Sequence, residues 1–247
     1  MQIGNPALKR QFKDNQISLI DEMTIGGTVN KTIFLLILVL ITSAWTWHLF
    51  YSASTWDRED VIIPYLLIGS IGGLIIGFIV IFKPKSSPVL APVYALLEGL
   101  AIGSISALFE KEFPGIVIQT VALTFGTLFC LLLAYKSGLI KVTKNFVLGV
   151  VAAMGAILLI YLIDIGLLFF GMRIHFIHES GWAGIGFSLF VVTIAALSLV
   201  IDFELIRKGA ENGAPKYMEW YSAFSLIVTL LWLYLEMLQL LAKTHSD

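Results

Sequence analysis

From Val61 to Phe82 the chain runs for 22 residues without a charge, and from Phe146 to Ile163 for another 18. At 1.5 Å per helical residue, about 20 apolar residues cross the roughly 30 Å hydrocarbon core of a bilayer. Inside that core no water is present to satisfy backbone N–H and C=O groups. Runs of this kind are therefore expected to be helices. Composition agrees: 58% of the 247 residues are hydrophobic and 13% charged, against roughly a quarter charged in a soluble domain. Mean hydropathy is +0.90. The net charge of −1 gives no basic surface for nucleic acid.

Seven spans are expected, at about 32–53, 61–82, 89–109, 115–135, 146–169, 183–206 and 219–242. The fold class is all-α, a polytopic seven-transmembrane-helix bundle over 32–243 behind a cytoplasmic tail, 1–31. That tail is polar, mixed in charge, and lacks the pattern of a cleaved signal peptide, so the first span is expected to act as an uncleaved signal anchor. The short connections TWDRED, KPKSSP, EKEFPG, KSGLIKVTK, RIHFIHESG and RKGAENGAPK hold the turn and charge signals. Lys and Arg distribute unevenly: Lys9, Arg10, Lys13, Lys31, Lys83, Lys85, Lys136, Lys141, Lys144, Arg207, Lys208 and Lys216 fall on one side, and only Arg58, Lys111, Arg173 and Lys243 on the other. The excess places the N-terminus in the cytoplasm and the C-terminus outside a cytoplasmic (inner) membrane. The segment 165–182 reads either as a helix end or as an interfacial piece.

Gly69, Gly73 and Gly77 recur every fourth residue, as do Gly99 and Gly103. That spacing aligns small residues on one helix face and permits close helix contact. Thr120, Thr124 and Thr127 make a similar stripe, which fits either interhelical hydrogen bonding or a polar cavity. The single Cys130 lies in an apolar run and excludes an internal disulfide.

Acids inside spans are costly, roughly 2.5–3.5 kcal/mol for Asp at a helix centre. Glu98, Asp202 and Glu236 lie inside spans, and Asp164 near a span end. Glu204 and Glu219 read as solvated helix-end residues. Asp202 either reaches the interface, pairs with Arg207 five residues on, or stays within the membrane. No Lys or Arg lies centrally in any span, which leaves protonation, a proton shared between two carboxyls, or a bound cation. Few oxygen ligands are on offer, so passage of a hard cation fits better than tight storage. No Ser–His pairing or HExxH pattern suggests an enzyme, and no resident metal or cofactor is expected. His175 and His178 stand just before Glu179 in a loop and read as interfacial residues rather than a metal site.

VIDFELI and LYLEMLQLL, with GTVNKT, PVYALLEGLAIGSIS and APKYMEWYSAFSLIVTLLWLYLEMLQLLA, resemble the bacterial branch of the Bax inhibitor-1/YccA family of seven-helix membrane proteins. The resemblance covers about residues 25–243. It implies a pH-sensitive calcium leak in which acids on the last two helices form a hydrogen-bonded pair that gates a pore. By motif these are Asp202 and Glu236, a glutamate where many members carry aspartate. Gln239 stands in the area where an arginine is frequent. Glu98 would attract the ion along the path, with Ca2+ transported rather than held as a cofactor. The resemblance also implies a second class of function, a non-conducting regulator that binds a membrane-bound protease or another stress-response partner, with the tail as a contact.

Overall fold

The structure is a computed structural model that describes residues 22–168, 170–172, 174, 177 and 181–245. Among them seven helices are long and apolar enough to cross a membrane: α1 (Ile25–Ser52), α2 (Arg58–Phe82), α3 (Ser87–Glu112), α4 (Ile116–Lys136), α5 (Lys144–Leu168), α6 (Trp182–Glu211) and α7 (Met218–His245). The chain is thus a multi-pass membrane protein. Each expected span corresponds to one helix; 32–53, 115–135 and 146–169 each run one residue past the helix they mark. The tail segment 1–21, the metal reading of His175, His178 and Glu179, and half of 169–182 fall outside the described residues.

α1 starts earlier than the 32–53 span. Thr24 caps it, its Oγ1 accepting the Gly27 N–H at 2.9 Å. The polar first turns reach past the apolar stretch to meet α7, and an apolar count alone misses them. At the other end of the bundle Gly115 takes φ 89°, a turn that glycine adopts without steric cost. Glu110 then accepts the N–H groups of Gly115 (2.7 Å) and Val117 (3.0 Å), satisfying two free donors at the start of α4.

Glycines set the helix spacing. A Cβ at Gly69 would lie 2.6 Å from the Leu97 carbonyl oxygen and 2.7 Å from the Ala101 nitrogen. One at Gly103 would meet the Ser43 Cα at 2.5 Å, and one at Gly99 the Val39 Cα at 3.0 Å. α3 is therefore pressed backbone to backbone against both α1 and α2, as the four-residue glycine spacing implies. The threonine stripe behaves otherwise: Thr120 donates to its own helix, to Ile116 O at 2.8 Å, and the buried Thr124 hydroxyl has no hydrogen-bond partner among the described residues.

α7 packs against α1, α3, α4 and α6, and over half of its most apolar window is buried. α5 leans on α6 at the periphery. Cys130 is exposed on α4. The main core cluster joins Leu35 and Val39 of α1, Tyr94 of α3, and Phe224 and Ile227 of α7.

Gly103→Val is expected to destabilise the bundle by about 1–3 kcal/mol, since the α1 backbone cannot yield. Gly126→Ala, where a Cβ meets nothing within 4 Å, is expected to be neutral. Thermal unfolding in detergent separates the two, and equal midpoints would contradict the backbone-contact assignment.

Candidate functional site

α7 carries the site. Ser225, Thr229, Trp232 and Glu236 follow at i, i+4, i+7 and i+11, which places them on one face of the helix. Asp202 of α6 faces the start of this stripe. It is buried, and its Oδ1 accepts the Ser225 hydroxyl at 2.9 Å. The neighbouring Thr229 hydroxyl donates to Ser225 O of its own helix at 3.2 Å. Asp202 Oδ2 is buried without a hydrogen-bond partner. A buried carboxylate oxygen left in this way is a costly arrangement, and the Thr229 hydroxyl beside it is a donor within the same stripe.

Glu236 ends the stripe and is also buried. Its carboxyl accepts the Tyr161 hydroxyl of α5 at 2.9 and 3.1 Å and the Trp232 indole N–H at 3.0 Å. Near the same end of α7, Lys243 donates to Ser188 Oγ at 2.7 Å and to the Ile177 carbonyl. Trp232 fills the stripe between the two acids and packs in the clusters that α5, α6 and α7 form.

The two acids are not brought together. Glu236 lies eleven residues beyond Ser225, Asp202's partner, about 16 Å of helix rise. α6 and α7 pass each other so that Asp202 meets the early turns of α7, and each carboxyl has its own partners. The hydrogen-bonded pair implied by the family resemblance is not formed in this structure.

Glu98 meets α7 elsewhere. It lines a cleft of about 320 Å3 between α2, α3 and α7, together with Ser70, Gly73, Tyr94, Phe224 and Val228. A Cβ at Gly73 would lie 2.5 Å from Glu98 Oε1, so this glycine makes the room that the carboxyl occupies. Phe224 and Val228 are on a face of α7 different from that of the Ser225–Glu236 stripe.

Arg207 does not pair with Asp202. It binds Glu204 (2.8 Å) and Glu211 (2.7 Å), the i−3 and i+4 positions that share its side of α6, while the five-residue offset turns Asp202 away. Nor are Glu204 and Glu219 solvated. Glu204 is buried and accepts from Tyr135 at 2.6 Å, with Lys208 at 3.1 Å. Glu219 is wholly buried. It accepts the Thr24 N–H (2.9 Å) and hydroxyl (2.8 Å) and pairs with Lys31 and with Lys216 (2.9 Å). Gly27 leaves the space for its carboxyl. Met23 N donates to Ala214 O at 2.7 Å alongside. This latch ties the start of α1 to the start of α7. The sequence held one signal for it: an acid in the first turn of α7, where positive peptide dipoles gather, beside conspicuous polar residues in GTVNKT. For Glu236 the overlooked partner was Trp232, one turn earlier on the same face.

A family model described as Bax inhibitor 1 like matches residues 5–246, nearly the whole chain. The chain belongs to that family. Bax inhibitor 1 like proteins are in general non-enzymatic membrane proteins. Comparison with curated proteins and with solved structures gave no match.

Glu219→Ala is expected to cost about 3–5 kcal/mol, because it strands the buried end of Lys31 and the Thr24 donors. Lys216→Met, at a half-exposed side chain, is expected to cost about 1 kcal/mol or less. Thermal unfolding of both variants checks the order, and equal losses would contradict a buried latch.

Proposed function

We propose that this chain is a proton-responsive cation leak of the cytoplasmic membrane, with Ca2+ as the ion, its N-terminus inside and its C-terminus outside. The observation that carries the reading is the stripe on α7: a buried aspartate with one oxygen unpartnered at one end, a buried glutamate held by two donors at the other, and Trp232 between them. No Lys or Arg neutralises Asp202 from the middle of a span. A cation entering between α6 and α7 would find in Asp202 a hard oxygen ligand, completed by the Ser225 and Thr229 hydroxyls and water. The Lys/Arg asymmetry between the two sides supports the orientation.

Trp232 acts as the plug. An ionised Glu236 accepts the indole N–H as a charge-assisted bond, roughly twice as strong as a neutral one. Protonation of Glu236 weakens that bond and its bond to Tyr161, and the indole is freed to leave the stripe. The sign follows: the leak closes as pH rises and opens as pH falls through the titration of Glu236. Asp202 and Glu236 then act at separate points, one as ion ligand and one as proton-sensitive latch. Glu98 supplies a second cation-attracting carboxyl, in its own cleft off the stripe.

The test is calcium entry into proteoliposomes between about pH 5 and 8. Wild-type flux is expected to rise on acidification. Glu236→Gln is expected to leak at pH 8 about tenfold above wild type with a flattened pH response, and Trp232→Ala to do the same. Asp202→Asn is expected to lower flux about tenfold at every pH, and Glu98→Gln to lower it less. Flux no greater than in empty liposomes at any pH would overturn the proposal. A wild-type pH response in Glu236→Gln would remove the latch.

The regulatory alternative, a non-conducting protein bound to a membrane protease or a stress-response partner, predicts partner binding unaltered when Glu98, Asp202 and Glu236 are all neutralised.

A further inference from the structure

Beside the α1–α7 latch the bundle has an open groove. α1 and α4 stand apart there and enclose a groove of about 910 Å3, floored by α6 and α7. Its walls are Val29 and Ile33 of α1 and Leu128 and Leu132 of α4, with Phe203 and Leu226 beneath. The α1 wall runs from Ile25 to Ile33 and the α4 wall from Leu128 to Lys136, each about 12 Å of rise.

One end of the groove is basic. Lys136 and Lys141 line it, both exposed, and among the described residues neither forms an ion pair. Arg207 lines it too, but Glu204 and Glu211 hold its guanidinium. Glu204 adds no repulsion of its own, since Tyr135, Arg207 and Lys208 cover its carboxylate. The chemistry is thus a mainly apolar slot about 12 Å long, closed at one end by two ammonium groups that form no ion pair among the described residues. Basic pockets between helices at a membrane face recognise anionic headgroups in this way.

We propose that the groove is a binding site for an anionic phospholipid. One acyl chain lies between α1 and α4, and the phosphate sits at Lys136 and Lys141. The site is independent of the ion-leak reading, because none of Glu98, Asp202 and Glu236 lines it.

Native mass spectrometry of the full chain, delipidated and then offered phosphatidylglycerol or phosphatidylcholine, tests this. The wild type is expected to retain one phosphatidylglycerol under conditions that strip phosphatidylcholine. Lys136→Gln with Lys141→Gln is expected to cut phosphatidylglycerol retention about tenfold. Both lysines are exposed, so the double variant should keep the wild-type unfolding midpoint. Leu132→Trp, at another exposed position, is expected to fill the slot and lower retention with the lysines intact. Equal retention of the two lipids, undiminished phosphatidylglycerol in the double lysine variant, or a lipid-free dimer in place of the lipid complex would overturn the proposal.

Discussion

Hydrocarbon solvates no polar group, and most of the buried polar groups of this bundle answer to that constraint. The backbone meets it by forming helices throughout the spans. The acids meet it one by one. Glu219 is surrounded by Thr24, Lys31 and Lys216, Glu204 by Tyr135, Arg207 and Lys208, and Glu236 by Tyr161 and Trp232. Asp202 departs from the pattern, with one oxygen bonded and the other buried without a partner. A group left incomplete where completeness is the rule is where function is best sought.

Close packing positions these groups. Gly99 and Gly103 bring α3 against α1, and Gly69 and Gly73 bring α2 against α3. With those three helices drawn together, α7 lies against α1 and α3 on one side and against α4 and α6 on the other. It therefore presents two working faces. One looks to the Glu98 cleft, and the other carries the stripe from Ser225 to Glu236. The latch at Glu219 fixes the start of α7, and through it the depth of every residue along the stripe.

Much of the architecture was legible in the sequence. Charge-free runs marked the seven helices, and four-residue glycine spacing marked the tight contacts. The three intramembrane acids stood out because a charge in a long apolar run is rare. Their partners were not legible. Tyr161 reaches Glu236 from 75 residues away, and Thr24 reaches Glu219 from 195; only the folded bundle brings such residues together. Glu204 and Glu219 read as solvated because helix ends usually are, yet here the basic residues that close each end bury them. The pairing of Asp202 with Glu236 came from family likeness, whereas helix rise alone separates Ser225 from Glu236 by about 16 Å. The structure agrees with the rise.

That separation is the central claim, and a double-mutant cycle on calcium flux tests it most directly. Flux at pH 8 is compared for the wild type, Asp202→Asn, Glu236→Gln and the double variant. Two independent sites predict that the double variant's flux, relative to wild type, equals the product of the two single effects within about a factor of two. Two carboxyls sharing one proton predict instead that the double variant matches a single one, and that result would contradict the account.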